Sequence, residues 1–310
     1  MIRANLGRPR LDAKSLEGVR AKITASLAEA ASDPRTVAND NWYTLAFEHQ
    51  TYGHSPDGKR DTIVSLTVED MAVFYATVIT RARLVVVAAG DISSPDLADL
   101  LDAIFGILPT GSNEPPAHAT FQPAAKLATF EQSFPGSSIA FGLPAPIPGH
   151  ADYAAARLVL HILGSGDFDS RLIQELRLRR GLVYSAQATL IHDRFASLIV
   201  GDISTSNENA EKAWAALQAT IEKLASEGPT QDELDSAKAA ILGATLLSLD
   251  SNARIADALL LARLDGEPIG FVAQQVEAIA SVNLAQARRV AKEILILERM
   301  PTVIVRGLTE

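Results

Sequence analysis

The chain has 310 residues, 47% of them hydrophobic and 21% charged, a composition of folded globular proteins rather than disordered ones. Its net charge of −9, with no basic block long enough to follow a phosphate backbone, argues against a nucleic-acid partner. It has no cysteine, which excludes disulfides, thiolate ligands and a cysteine nucleophile, and no apolar run approaches the roughly 20 residues of a membrane helix.

From Ser15 onward, Leu16, Val19, Ile23 and Leu27 recur at helical spacing and predict an amphipathic helix that stops before "SDP" at Ser32–Pro34. A second helical stretch runs through Trp42 to Phe47. The turn "YGHSPDG" (Tyr52–Gly58) follows, then a helix opened by Thr67 with Asp70 in capping-box position. "RLVVVAAGDIS" reads as a buried strand ending at Gly90. "SSPDLADLLDAIF" reads as a helix with Ser94 as N-cap and Pro95 at the first helical position.

The polar, Pro- and Gly-rich stretch 110–125 is the expected linker between a region 1–109 and a region 126–310. Beyond it come a strand, "SSIAFGLPAP", and an apolar helix, "HADYAAARLVLHILG". "GSGDFDS" (Gly164–Ser170) is glycine-rich but does not follow a strand in a βαβ unit, so it reads as a hinge-like turn rather than a phosphate cradle. The basic helical stretch "SRLIQELRLRR", a strand to about Thr189, the strand "FASLIVGDIS" and a helix carrying Trp214, Leu217, Ile221 and Leu224 complete the pattern. Strands and helices in runs predict an α+β fold with a mixed or antiparallel sheet and helices layered on one face.

The end of the chain repeats its beginning. "AKITASLAEAASDP" aligns with "AKAAILGATLLSLDS", and Asp33 matches Asp250, Gly53 matches Gly270 and Gly90 matches Gly307, each pair 217 residues apart. One spacing shared by three features indicates a duplicated domain. On this reading the first copy is incomplete at its N-terminus: roughly 85 residues holding its strands and first helix have no counterpart in this chain.

"LGSGDFDSRLIQELRLRRGLVYSAQA" and "EGPTQDELDSAKAAILG" closely resemble the second domain of the insulinase and pitrilysin class of zinc peptidases, particularly bacterial relatives of the mitochondrial processing peptidase. "YGHSPDGKRDTIVSLTVEDMAVFYATVITRARLVVVAAGDIS" is similar to the later part of their first domain. The resemblance implies two homologous α/β-sandwich domains forming half of a chamber. In active members an H-x-x-E-H helix holds zinc and activates its bound water, with a later glutamate as third ligand.

The six histidines, His49, His54, His118, His150, His161 and His192, form no such motif. Where the third ligand should fall the helix reads Ala25, Ser26, Leu27, and Glu29, the nearest carboxylate, reads as a solvated position. The resemblance therefore implies a non-catalytic member without a cofactor of its own, paired with a zinc-bearing H-x-x-E-H subunit as a heterodimer, or with itself as a homodimer, and acting on peptides. In such members an Arg and a Tyr four residues apart, here Arg180 and Tyr184 in "RGLVY", reach the partner's active site. The alternatives are an N-terminally truncated zinc peptidase and a purely structural scaffold.

Local chemistry also gives both residues ordinary roles, Arg180 as a cation at a helix C-terminus and Tyr184 as a packed strand aromatic. Arg171, Arg177 and Arg179 read as surface groups or partners of Glu175 and nearby acids. His161 reads as a core histidine and Trp42 and Trp214 as core. Localisation is left open, since "MIRANLGRPRLDAKS" has no apolar core behind its charges.

Overall fold

The structure, a computed structural model, describes residues 6–7, 9–112, 119–122, 126–193 and 196–308. The chain forms two compact units, each assembled from several stretches. One comprises Met1–Glu29, Pro56–Ala117 and Leu249–Leu264; the other comprises Ala30–Ser55, His118–Ser248 and Asp265–Glu310.

The second unit is α+β. Its five-stranded mixed sheet contains β1 (Leu127–Gln132), β2 (Ser137–Pro144), β3 (Val183–Asp193), β4 (Ala196–Thr205) and β5 (Thr302–Gly307), in the order β1-β5-β2-β4-β3. β1 and β5 run parallel, Phe130 opposite Val305, and all other pairs are antiparallel, with Phe141 opposite Gly201. Seven consecutive residues of β2 are buried, as expected of an apolar run covered on both faces.

One face packs on α6 (Tyr153–Leu160), α7 (Ala210–Glu227), α8 (Gln231–Leu247), α10 (Phe271–Ser281) and α11 (Leu284–Ile294). Ile139, Phe141, Ile199 and Ile304 of the sheet meet Leu158, Leu217, Ile221 and Val290 there, with Trp214 packed at the margin. The other face is not bare, contrary to the expectation of helices on one side only. It carries α2 (Pro34–Phe47), a helix from the first copy of the repeat, whose Ala38, Trp42, Ala46 and Phe47 are fully buried against Ala140, Leu198, Val303 and Val305. Trp42 donates from Nε1 to the carbonyl of Pro301 (2.9 Å). Its ring lies over Gly142, where a Cβ would fall 2.2 Å from it, so glycine there is a condition of the close approach.

The duplicated segments fold alike. α1 (Ala13–Ala30) corresponds to α8, α2 to α9 (Asn252–Leu264), and α4 (Val68–Val78) to α11. Thr67 and Asp70 form the expected capping box of α4; its counterpart α11 is capped by Asn283, which accepts from the N–H of Gln286, and Thr230 with Glu233 forms a second capping box on α8. α3 (Arg60–Ser65) and α5 (Ser94–Phe105) complete the helices of the first unit. The cap of α5 is Ser93, one residue before the expected Ser94; its side chain accepts from the N–H of Asp96.

The expected strand at Leu84–Gly90 does not form. Its counterpart 217 residues on is β5, which lies between β1 and β2, whereas Val85 and Val86 are exposed and no strand pairs with them among the described residues. Apolar β-branched residues make a strand only where a neighbouring strand takes their backbone hydrogen bonds.

Candidate functional site

The basic stretch of the sequence lies in a chain reversal of the second unit. α6 widens into a π-helical turn at His161–Ser165, a 3₁₀ turn follows at Asp167–Asp169, and a second π-helical segment covers Ile173–Arg179. Leu172, Ile173 and Leu176 are buried, while Arg177, Leu178, Arg179 and Arg180 are exposed. Gly181, at φ 61, ends the segment: its N–H donates to the carbonyl of Arg177 (3.1 Å) and the N–H of Leu182 to that of Leu176 (2.8 Å). The left-handed conformation suits glycine, and both bonds satisfy terminal carbonyls.

β3 begins two residues later with a bulge. Val183 sits opposite Thr205 and Ser185 opposite Ser204, which leaves Tyr184 as the extra residue. Bulges bend a strand and re-aim a side chain, and Tyr184 is 64% exposed. Arg180 lines a cavity of about 350 Å³ with Arg171, Arg179, Lys223, Glu175 and Glu227. Among the described residues no hydrogen bond or ion pair engages the side chain of Arg180 or Tyr184, and none links the two.

The other arginines are held. Arg179 pairs with Glu175 one turn away (2.6 Å), and the guanidinium of Arg177 stands 5.9 Å from the ring centroid of Phe168. Arg171 corrects the expectation of a nearby partner. It donates from Nε and Nη2 to the two carboxylate oxygens of Glu233 (2.7 and 2.8 Å) and from Nη2 to the carbonyl of Gly228 (3.0 Å). Burial pushes the Glu233 carboxyl up, but Arg171 and the Thr230 N–H outweigh it and hold the carboxyl down at about 2. Glu233 thus caps α8 and ties the reversal to it.

Arg35 and Asp202 had no signal at all. Asp202, buried in β4, accepts from Arg35 Nη2 (2.8 Å) and Gln187 Nε2 (2.7 Å), which pins the start of α2 to the sheet.

His161 is half-buried beside a cavity of about 640 Å³ that Asp167, Asp169, Asp232 and Glu233 also line. Burial lowers its pKa, against the opposing effect of Asp167 and Asp169. The described residues do not fit zinc. No group of three or more His, Asp or Glu side chains among the described residues could hold a metal. On α1, Ala25, Ser26 and Glu29 are exposed, and His118 lies outside the described residues. No helix of the described residues is long and apolar enough to cross a membrane.

The chain is 27% identical over 240 residues to the "non-peptidase homolog YmxG" of Helicobacter pylori, covering 76% of this chain and 54% of that protein. It is 24% identical to an "uncharacterized zinc protease" of Mycobacterium tuberculosis, covering 92% and 66%. It is 23% identical to the "mitochondrial-processing peptidase subunit beta" of Lentinula edodes, covering 92% of this chain. The chain spans between about half and two thirds of the length of the first two.

The crystal structure of a peptidase M16 inactive domain from Pseudomonas fluorescens shares the fold, with a TM-score of 0.89 at 23% identity over 98% of this chain and 73% of that one. The peptidase M16 inactive domain family itself matches residues 65–241. That match takes in the reversal, the bulged start of β3 and the Glu233 cap, and it covers more than half of the chain, which therefore belongs to the peptidase M16 inactive domain family.

Proposed function

We propose that the chain is the non-catalytic partner in a two-subunit zinc peptidase and lends Arg180 and Tyr184 to the active site of an H-x-x-E-H subunit. One observation carries the reading: the bulge at Tyr184 presents an exposed phenol four residues after an exposed guanidinium, with Gly181 turning the chain between them and no described partner consuming either side chain. The names of two relatives, a non-peptidase homolog and a processing-peptidase subunit, support it.

In this role Arg180 donates to a backbone carbonyl of the bound peptide, and the Tyr184 hydroxyl donates to the oxyanion that develops at the scissile carbon. Zinc in the partner would supply the activated water. Within the same reading, residues 1–109 are the later part of a first peptidase-like domain, 110–125 a linker and 126–310 a whole second domain.

The test is the peptidase rate of the assembled pair. Arg180→Ala/Tyr184→Phe should lower it on the order of 10²-fold, with unchanged circular dichroism. Equal rates for wild type and variant would sink the proposal. A complex that assembles and never cleaves would identify a scaffold instead, and stoichiometric zinc in an N-terminally extended version would identify a peptidase in its own right.

A further inference from the structure

We infer that the cavity between the chain reversal and α7 takes the free carboxylate at the C-terminus of a peptide. The reversal brings Arg171, Arg179 and Arg180 to this cavity of about 350 Å³, and α7 brings Lys223. Glu175 and Glu227 are the carboxylates of its lining, and Glu233, outside the lining, pairs with Arg171. Four cations against three carboxylates leave one positive charge, in a chain whose net charge is −9.

The hydrogen-bonding groups are more one-sided than the charge. Arg171 spends Nε and Nη2 on Glu233 and the carbonyl of Gly228, but its Nη1 is buried with no partner among the described residues. The side chain is only 16% exposed, and a buried N–H left unpaired is costly enough to call for an acceptor. Arg180 and Lys223 are exposed cations that no described hydrogen bond or ion pair engages. Their long side chains can turn onto a bound group without disturbing the core.

The other polar groups are mostly taken. Glu175 holds Arg179 (2.6 Å), the Thr220 hydroxyl donates to the carbonyl of Ala216 (2.7 Å) and the Thr230 hydroxyl to Glu233 (3.0 Å). Glu227 lies one turn beyond Lys223 on α7 with no described ion pair between them, so it lowers the local charge without using up a donor. Three donors therefore await acceptors.

A group that brings acceptors alone and a single negative charge is a carboxylate, and a guanidinium matches its two oxygens. A phosphate, with about −1.5 to −2 charge at neutral pH, would overcompensate the site. The volume is at the lower end of the usual ~300–1,000 Å³ for small-ligand sites, which leaves room for one residue behind the carboxylate. Ala219 and the methyl group of buried Thr220 give that residue apolar surface. Capture of a C-terminal carboxylate is a recurrent mode of peptide recognition. The carboxylate follows from the donors; the choice of a peptide to carry it rests on the reading above.

The test is calorimetric titration of the full chain, at low salt, with a five-residue peptide of glycine and serine ending in alanine, once with a free C-terminus and once amidated. The free acid should bind saturably with a Kd of about 1 mM or tighter, and the amide about tenfold or more weakly. Lys223→Gln, a change at an exposed position, should weaken binding of the acid about fivefold, and Lys223→Arg should restore most of it. Tyr184 does not line the cavity, so Tyr184→Phe should bind the peptide as wild type does.

Absence of saturable binding, equal binding of acid and amide, or wild-type binding by Lys223→Gln overturns the inference. So does inorganic phosphate that binds more tightly than the peptide acid, or loss of binding in Tyr184→Phe, which would place the carboxylate elsewhere. The titration needs no catalytic partner: its failure leaves the Arg180 and Tyr184 assay untouched, and failure of that assay leaves the calorimetry standing.

Discussion

Val73 and Val290 occupy equivalent turns of α4 and α11, helices of the same repeat, yet Val73 is 58% exposed and Val290 fully buried. Val86 and Val303 differ in the same way, 40% against 0%. In the second copy Val303 lies in a central strand and Val290 packs in the core beneath the helices. In the first copy the same pattern of apolar residues meets no strand among the described residues, and no residue of α1, α4 or α5 is buried. Helical periodicity specifies which face is apolar; what covers that face is decided elsewhere in the fold.

The comparison can be broken or sharpened by substitution. The largest effect belongs to Trp42→Ala, which should cost about 3–5 kcal/mol in urea unfolding of the second unit by emptying the space over Gly142. A cost below about 1 kcal/mol would mean that α2 is not part of that core.

Next is a matched pair. Val303→Ala should destabilise by about 2 kcal/mol and Val86→Ala by less than about 0.5 kcal/mol, and equal costs would erase the contrast between the copies. Hydrogen exchange checks the same contrast without mutation: the amides of Val303–Val305 should be protected and those of Val85–Val87 should exchange near the open-chain rate.

A smaller effect follows from the depressed Glu233 carboxyl. Its ionised form is favoured in the folded state, so its contribution is present above the ordinary carboxylate range, near pH 4.5, and is lost as pH falls toward about 2. Glu233→Gln should flatten that part of the stability–pH curve and cost about 1 kcal/mol at neutral pH through the weakened cap. An unchanged slope would assign the acid sensitivity to other groups.

Smallest of all, Phe74→Lys on the exposed face of α4 should change stability by less than about 0.5 kcal/mol. A larger loss would show that this face is covered in solution.

Much of this was legible in the sequence. The capping box at Thr67, the core placement of Trp42 and the strands 137–144 and 196–205 follow from periodicity and cap chemistry. The register of the duplication anticipated which helices correspond. The strand at 84–90 was misread because a strand's stability lies in its neighbours, which composition does not report. The covering of the second sheet face by α2 could not be read because the helix and the strands it covers belong to different copies. The Tyr184 bulge was hidden for a similar reason, since a bulge is defined by the pairing of β3 with β4 and not by β3 alone.

Trp42 and Pro301 are hydrogen-bonded across 259 residues, and β5, the strand between β1 and β2, is formed from Thr302–Gly307. During synthesis at about 5–20 residues per second, α2 emerges roughly ten seconds to a minute before the strand it packs against. Neither face of the sheet can close until that strand is released. The second unit is therefore committed to late assembly with high contact order, and its slow step should be the insertion of β5.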